Sequence, residues 1–250
     1  MMSVKDKIQT ALKIDGIALL PPMDVHDSIK LLKNENIHVE CTMLDPWYNK
    51  GTGGVLPIEE YDKFIRSILN SSGDISDLLY LWGFPEIIGP YVRYAPKDFY
   101  MATWLTWYYK NCPSVIRGWR SSQNACIQFM KKGYSLHPEH FLNDVQKEKY
   151  NSGKMRFVPG PPSVIEAPLI IGFVGKNEQT GHPSQKPEAV FDKLLLMALN
   201  DGQIVFDPMA GSGTSGASAR KNGFKAILCD NNENYISMIE KRLGITRINL

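Results

Sequence analysis

The stretch FDPMAGSGTSG at residues 206–216 decides the fold of this chain. It begins at the end of an apolar run, QIVFD (203–207), and leads into a run with helical spacing over 214–222. Glycine tolerates backbone conformations that other residues avoid, and it lets a ligand come close to the main chain at a helix N-terminus. The pattern predicts a strand, a glycine-rich turn and a helix, which form the ligand-binding corner of a doubly wound α/β sheet.

The next predicted strand, KAILCD (225–230), ends in an acid. The glycines fit G-x-G-x-x-G, and Asp230 lies 19 residues after Gly211, at a position suited to accepting hydrogen bonds from a ribose. Both NAD and S-adenosylmethionine satisfy this pattern. The preceding Asp207-Pro208 and the 34 residues after Gly216, too few for the rest of a forward-ordered dinucleotide domain, favour S-adenosylmethionine. The remaining strands must then come from upstream sequence.

Hydrophobic periodicity predicts further elements on both sides of this corner. The predicted helices are 26–36, 59–69, 186–200 and 233–243. The predicted strands are 37–44, 78–82, 100–110 and 124–131. Residues 135–168 show no clear period and contain VPGPP, so they are interpreted as an inserted loop region.

A second motif, Asp45-Pro46-Trp47-Tyr48, follows the predicted strand over 37–44 and therefore stands where open α/β sheets carry their chemistry. An aromatic amino nitrogen is a poor nucleophile because its lone pair is delocalised into the ring. The Asp45 carboxylate and the Pro46 carbonyl can accept its hydrogens and free that lone pair for attack on a methyl group. Tyr48 offers a face on which an extruded base stacks, at about 1–3 kcal/mol. A lone motif of this kind also fits an ordinary turn, but its combination with the glycine loop favours an active site.

These motifs together resemble those of the amino-group DNA methyltransferases, in the permuted arrangement that places a D-P-P-Y-type motif before the cofactor loop. LDPWYN (44–49) resembles the catalytic motif, and HPSQKP (182–187) resembles the segment that leads into the cofactor half. FDPMAGSGTSG resembles the cofactor loop itself. The resemblance spans about residues 28–245.

The resemblance implies a Rossmann-like, S-adenosylmethionine-dependent methyltransferase sheet of the α/β class with a circularly permuted motif order. We expect one domain over 1–250, in which 28–134 form the catalytic half and 169–245 the cofactor-binding half. Residues 135–168 would be a small target-recognition insertion, supplemented by the loop from Asn49 to Val55.

The resemblance also implies roles for individual residues. The residues assigned to catalysis are Asp45, Pro46, Trp47 and Tyr48. The residues assigned to S-adenosylmethionine are Asp207, Pro208, Ala210, Gly211, Gly213, Thr214, Asp230, Ser184 and Lys186. Among them, Asp230 would take the ribose, and the stretch 183–186 would lie near the methionine end of the cofactor.

The first residue of the catalytic motif, Asp45, favours adenine N6 as the methylated atom, since cytosine N4 enzymes more often resemble a serine-first motif. Trp47 stands where the family usually has a second proline, and its indole would narrow or reshape the base pocket. Cytosine N4 therefore stays open as the alternative. More remote alternatives are an RNA or protein-amide methyltransferase, a nucleotide-binding oxidoreductase and a catalytically silent DNA-binding protein.

The net charge of +2 neither requires nor excludes a nucleic acid. Residues 99–138 contain no acidic side chain, which favours phosphate contacts there, although a solvated basic face fits equally well. The candidate DNA-binding residues are Arg117, Arg120, Lys131 and Lys132. The expected partners are double-stranded DNA, a cognate restriction endonuclease and a second copy of the chain.

The four cysteines are widely spaced and form no C-x-x-C pair, which indicates reduced thiols. The chain shows neither the apolar core of a signal peptide nor a run of about 18 apolar residues, so a cytoplasmic, nucleoid-associated protein without a membrane partner is expected. No metal is expected, because Pro138 interrupts the helix that His137 and His140 would need, and no third ligand is apparent.

Overall fold

Helices and strands alternate along the residues that the computed structural model describes, which are 2–50, 54–112 and 118–250. In chain order the elements are α1 (Val4–Ile14), β1 (Ile17–Leu19), α2 (Val25–Asn34), β2 (Val39–Leu44), α3 (Ile58–Gly73), β3 (Ser76–Gly83), α4 (Pro85–Ile88), β4 (Phe99–Tyr108), β5 (Gln123–Lys131), α5 (Asp144–Asn151), β6 (Val164–Glu166), α6 (Glu188–Ala198), β7 (Ile204–Asp207), α7 (Thr214–Lys221), β8 (Lys225–Leu228) and α8 (Glu233–Leu243). Short 3₁₀ helices span Gly89–Arg93 and Pro138–Phe141. No helix among these residues is both long and apolar enough to cross a bilayer.

The strands form one mixed sheet in the order β1-β8-β7-β2-β3-β5-β4-β6. Strand β5 runs antiparallel to its neighbours β3 and β4, whereas every other neighbouring pair is parallel. Every strand except β5 therefore ends at the same edge of the sheet, which we call the carboxyl edge.

Strands β7 and β2 lie side by side at the point where the order in which strands are added to the sheet reverses. From β7 the chain continues through α7 to β8 on one side, and from β2 it continues through α3 to β3 on the other. Loops that leave adjacent strands in opposite directions open a crevice outside the carboxyl ends, where ligands of open α/β sheets bind. The glycine-rich turn after β7 and Asp45 after β2 border this crevice.

The sheet is buried on both faces, which explains why its central strands are continuously apolar. On β3, alternate side chains point to opposite layers: Leu78, Tyr80 and Trp82 pack in the cluster that includes α6 and α8, whereas Leu79 and Leu81 pack in the cluster that includes α1, α2 and α3. Helix α3 presents a matching apolar stripe of residues three or four apart: Tyr61, Ile65, Ile68 and Leu69. Burial of each such aliphatic side chain stabilises the fold by about 1.5–3 kcal/mol.

The structure confirms the α/β class and the permuted order of the two halves, and it adds elements that the sequence did not reveal. Strand β1 pairs with β8 and extends the sheet at its outer end. The segment 135–168, expected to be irregular, contains α5 and β6, and β6 pairs with β4 at the other end of the sheet. Hydrophobic periodicity did not predict helix α5 because this helix buries no side chain. Its N-terminus is stabilised by a capping box between Asn143 and Gln146.

The last glycine of the loop, Gly216, lies inside α7 and serves packing rather than ligand approach. A Cβ atom there would lie 2.6 Å from Leu228 Cδ1 and 3.0 Å from Leu243 Cδ1. The missing side chain therefore lets α7 approach β8 and α8 closely.

We expect Gly216→Val to lower the free energy of unfolding by about 1–3 kcal/mol, because the added methyl groups overpack this contact. The measurement is denaturant unfolding of the two proteins. Gly160→Val is the control, since a Cβ at Gly160 makes only ordinary contacts, the nearest at 3.7 Å from Met197 Cε. Equal stability of Gly216→Val and the wild type would show that α7 does not pack as described.

Candidate active site

A cavity of about 550 Å³ lies at the carboxyl edge of the sheet, between the ends of β2, β7 and β8. Its walls come from the segments after β2, before α6, after β7 and after β8, together with the start of α2. Parts of α3 and α8 complete the lining through Phe64 and Tyr235. A volume of this size is typical of small-molecule and cofactor sites.

The carboxylate of Asp45 is fixed from two sides. Its Oδ1 accepts a hydrogen bond from the Tyr48 hydroxyl at 3.2 Å, and its Oδ2 accepts one from the Lys186 ammonium. The side chain is 23% exposed, so one side of the carboxylate remains open to the cavity. Asp45 is thus held as an oriented acceptor at the end of β2.

The ammonium of Lys186 is almost completely buried, with 3% of the side chain exposed. Its Nζ also donates to the Tyr48 hydroxyl at 3.0 Å and lies 5.1 Å from the centroid of the Trp82 ring. Burial lowers the pKa of Lys186, but the contacts with Asp45 and Tyr48 raise this pKa further than burial lowers it. The lysine is therefore a permanent cation inside the protein.

The hydroxyl of Tyr48 joins the two halves of this network. It accepts from Lys186 and, at 3.0 Å, from the Asn124 amide on β5, so its own proton goes to Asp45. Burial, followed by the charge of Asp45, raises the pKa of Tyr48 to about 12, which keeps the hydroxyl neutral. The ring packs edge-on against Phe84 at a centroid distance of 4.8 Å. The orientation of the tyrosine ring is therefore fixed.

Trp47, the unusual residue of the motif, is anchored to α3. Its indole ring packs against Tyr61 and Phe64, with centroids 5.4 and 4.8 Å away, and its carbonyl accepts a hydrogen bond from the Tyr61 hydroxyl at 2.7 Å. The indole also borders the cavity together with Phe64. The indole thus forms part of one wall of the site, and its effect on the shape of a base pocket stays a prediction.

Two buried acids organise the loop after β7. Asp207 accepts hydrogen bonds from the Ser215 hydroxyl and from the Met209 N–H. Burial raises the pKa of Asp207 to about 7, and these two hydrogen bonds limit the rise. Asp230 accepts from the N–H groups of Gly211 and Asn232, each at 2.9 Å, and burial raises its pKa as well.

Glycine is required at positions 211 and 213 for different physical reasons. Gly211 has φ +50°, and a Cβ there would lie 2.9 Å from the Nε2 of His182, which covers the loop and packs on Tyr235. Gly213 has φ +74°, and a Cβ there would meet Ile239 on α8 at 3.1 Å. Gly211 therefore lets the His182 ring lie close against the loop, whereas Gly213 allows the turn to pack on α8.

A single residue connects the two sides of the cavity. The side chain of Lys186 reaches Asp45, while its backbone carbonyl accepts a hydrogen bond from the hydroxyl of Thr214, the first residue of α7, at 3.2 Å. Arg242 donates to the same hydroxyl at 3.0 Å and to Glu188 at 2.8 Å. The segment before α6 is thereby fixed to the glycine loop.

Most of the residues that the sequence indicated meet in this cavity. Its lining includes Asp45, Pro46, Trp47, Tyr48, Ser184, Lys186, Asp207, Pro208, Ala210, Gly211, Thr214 and Asp230. Gly213 is not part of the lining. Their individual roles stay predictions. The described residues contain no group of three or more His, Cys, Asp or Glu side chains placed to hold a metal ion.

The candidate DNA-binding residues are not brought together. Lys131 ends β5, and because β5 is antiparallel, Lys131 and Lys132 lie at the edge opposite the cavity, where Lys131 approaches Asp77 at 3.4 Å. Arg120 is exposed in the connection from β4 to β5, which lies at the carboxyl edge. Arg117 is outside the described residues.

Several further residues belong to the site although the sequence analysis did not select them. His182, Tyr235 and Asp24 line the cavity, and Asn124 supports Tyr48 from β5. Burial lowers the pKa of His182, which makes it neutral at neutral pH. His182 stands in the HPSQKP segment and could have been selected there. Asn124 gave no signal, since one polar residue in an apolar strand is common.

Comparison with known proteins identifies the family. The profile described as DNA methylase matches residues 39–241. Type II methyltransferase M.HpaI of Haemophilus parainfluenzae is 28% identical over 232 residues, 87% of this chain and 72% of that protein. DNA adenine methyltransferase YhdJ of Escherichia coli (strain K12) is 45% identical over 98 residues, 39% of this chain and 31% of that protein.

The same conclusion holds for the fold. The crystal structure of an M1.HpyAVI–SAM complex superposes with a TM-score of 0.69 at 18% sequence identity, covering 92% of this chain and all of that one. The chain belongs to the DNA methylase family. The expectations of a methyltransferase sheet and of a DNA methyltransferase are thereby confirmed.

We expect the stability of Asp207→Asn relative to the wild type to increase as the pH rises from about 4 to about 7. Folded Asp207 keeps its proton up to about pH 7, whereas an unfolded aspartate releases it near pH 4, so the wild type loses stability across this window. The relative gain should be on the order of 2–4 kcal/mol. Thermal unfolding of both proteins at several pH values measures it, and a pH-independent difference would contradict the description of Asp207 as a buried acid.

Proposed function

We propose that this protein methylates the exocyclic amino group of a flipped DNA base, with adenine N6 as its target and S-adenosylmethionine as the methyl donor. The observation that carries the proposal is the shared cavity: the oriented Asp45 carboxylate and the glycine loop face the same space. Family membership supports DNA as the substrate. A site for one ligand alone would not need both walls.

The cofactor half fits S-adenosylmethionine. Gly211 and His182, whose ring lies against this glycine, line the cavity, and the Asp230 carboxylate faces it where it can accept ribose hydroxyls. Asp207, Ser184 and Thr214 are the further residues proposed to hold it. When bound, the cofactor supplies an electrophilic methyl group on a sulfonium. The chain itself supplies no nucleophile in this proposal, because the amino nitrogen of the base attacks directly.

The catalytic half supplies acceptors for the amino hydrogens. The Asp45 carboxylate and the Pro46 carbonyl draw the two N–H bonds out of the plane of the base, which localises the nitrogen lone pair toward the cofactor side. As the N–C bond forms and the nitrogen becomes positive, the nearby carboxylate stabilises the charge and takes up the surplus proton. The Tyr48 ring, held by Phe84 and Asn124, is the platform for the extruded base.

Adenine is favoured over cytosine for two reasons. The motif begins with Asp45, and the matching relative YhdJ is named a DNA adenine methyltransferase. A restriction–modification setting is supported by the type II methyltransferase M.HpaI, which matches over most of this chain. A partner endonuclease and a homodimer stay predictions.

The DNA is proposed to approach the carboxyl edge, because the cavity opens there. The connection from β4 to β5, with Arg120, and the chain that leaves β6 lie along that edge. The segment 135–168 reaches it through β6, which supports its proposed role in target recognition. Lys131 and Lys132 are placed too far from this edge to contact the same DNA segment, so we do not include them.

The direct test is methyl transfer from labelled S-adenosylmethionine to unmethylated genomic DNA, followed by digestion and mass spectrometry of the nucleosides. We expect label in N6-methyladenine. Asp45→Ala should reduce the rate by about 10²–10⁴-fold, because the acceptor for the amino hydrogens is lost, while cofactor binding persists. Label in N4-methylcytosine would correct the base, and unlabelled DNA with intact cofactor binding would refute the proposal.

The ring and the hydroxyl of Tyr48 can be tested separately. Tyr48→Phe removes the hydroxyl bonds and keeps the aromatic face, whereas Tyr48→Ala removes both. We expect Tyr48→Ala to have a kcat/KM about 5- to 150-fold below that of Tyr48→Phe, which corresponds to about 1–3 kcal/mol of stacking. Steady-state methylation of one duplex by both variants measures this ratio. Equal values for the two variants would mean that the base does not stack on this ring.

A further inference from the structure

The Lys186 side chain turns away from the glycine loop and toward the catalytic half. Its backbone is bonded to Thr214, but its ammonium lies among Asp45, Tyr48 and Trp82, all of which belong to the catalytic half. An ammonium carries three N–H bonds, and two of them are already used by Asp45 and Tyr48. The family resemblance assigned this lysine to the cofactor, whereas its contacts indicate a different purpose.

We propose that Lys186 is a positioning residue for methyl transfer, which holds Asp45 as an oriented acceptor and Tyr48 in its stacking position, and that it does not bind the cofactor. This inference rests on the proposed function of the cavity. The inference assigns Lys186 to the activation of the base and not to cofactor binding.

The groups that face Asp45 support this assignment. From the described elements these are Lys186, Tyr48, His182 and Asp207, with Tyr61 and Cys126 farther away. His182 is neutral at neutral pH because burial lowers its pKa, and none of the others except Lys186 carries a positive charge. Among these groups, the positive charge that faces Asp45 therefore comes from Lys186.

The hydrogen bonds to Asp45 leave acceptor positions on its carboxylate that a substrate amino group can use. Each carboxylate oxygen accepts two hydrogen bonds, and Tyr48 and Lys186 use one on each oxygen. One acceptor position per oxygen remains, and the open side of the carboxylate faces the cavity. The clamp thus orients the carboxylate without occupying the positions that an amino group needs.

The test compares Lys186→Met with the wild type. Methionine fills a similar volume but carries no charge. We expect kcat to fall at least tenfold at pH 7 and the acid limb of the kcat profile to move up by about one pH unit or more, since a neighbouring opposite charge favours the ionised carboxylate by that amount. The dissociation constant for S-adenosylmethionine should change less than threefold. Lys186→Gln should show the same displaced limb with a smaller loss of kcat at high pH, because its amide still donates.

Lys33→Met is the control, because Lys33 also pairs with an acid, Asp74 at 2.6 Å, but does not line the cavity. Its acid limb should not move. A tenfold weaker cofactor affinity of Lys186→Met, with an unmoved acid limb, would overturn the proposal and return Lys186 to the cofactor site.

A double-mutant cycle with Asp45→Asn on thermal unfolding tests the pair without any substrate. We expect Lys186→Met to change the melting temperature by clearly different amounts in the two backgrounds. Equal changes would overturn the proposal. The thermal-unfolding cycle and the measurement of cofactor binding need no DNA. Failure of the wild type to methylate DNA would therefore refute the proposed function, while the positioning role of Lys186 could still be tested.

Discussion

The meeting of the two halves of this fold depends on a buried charge, the ammonium of Lys186, with 3% of its side chain exposed. Burying an ammonium costs several kcal/mol unless an opposite charge and further hydrogen bonds compensate for the lost water. Asp45 and Tyr48 provide that compensation from a position 141 and 138 residues away in the chain. The native fold therefore places the end of β2 against the segment before α6. The cavity is bordered by these two segments.

The order of the strands makes this meeting possible. The catalytic motif precedes the glycine loop in sequence, yet β2 and β7 are neighbours in the sheet. What chemistry requires is adjacency of the two strand ends, and several chain orders can satisfy that requirement. The glycine loop of this protein comes late in the chain because the strands that complete its sheet, β2 to β6, come before it.

Local patterns predicted many of the elements that are both long and periodic, such as α3 and β3, and the two motifs that follow β2 and β7, but the amphipathic helix α1 was not predicted. They failed where the signal is short or depends on direction. Strand β1 has only three residues, and α5 has no apolar face. Lys131 and Lys132 looked like part of a basic surface, but the antiparallel course of β5 carries them to the far edge. Asn124 supports Tyr48 across 76 residues, and no spacing in the sequence encodes such a contact.

The hydrogen bond from Thr214 to the carbonyl of Lys186 connects the cofactor loop to the residue that touches Asp45. Lys186 therefore links a displacement of the glycine loop to the position of the Asp45 carboxylate. In thermodynamic terms this connection is a route for cooperativity between the two ligands. Reciprocity then requires that any tightening of DNA binding by the cofactor be matched by an equal tightening of cofactor binding by DNA. If the cofactor tightens DNA binding, the protein retains its methyl donor best when a target base is in place.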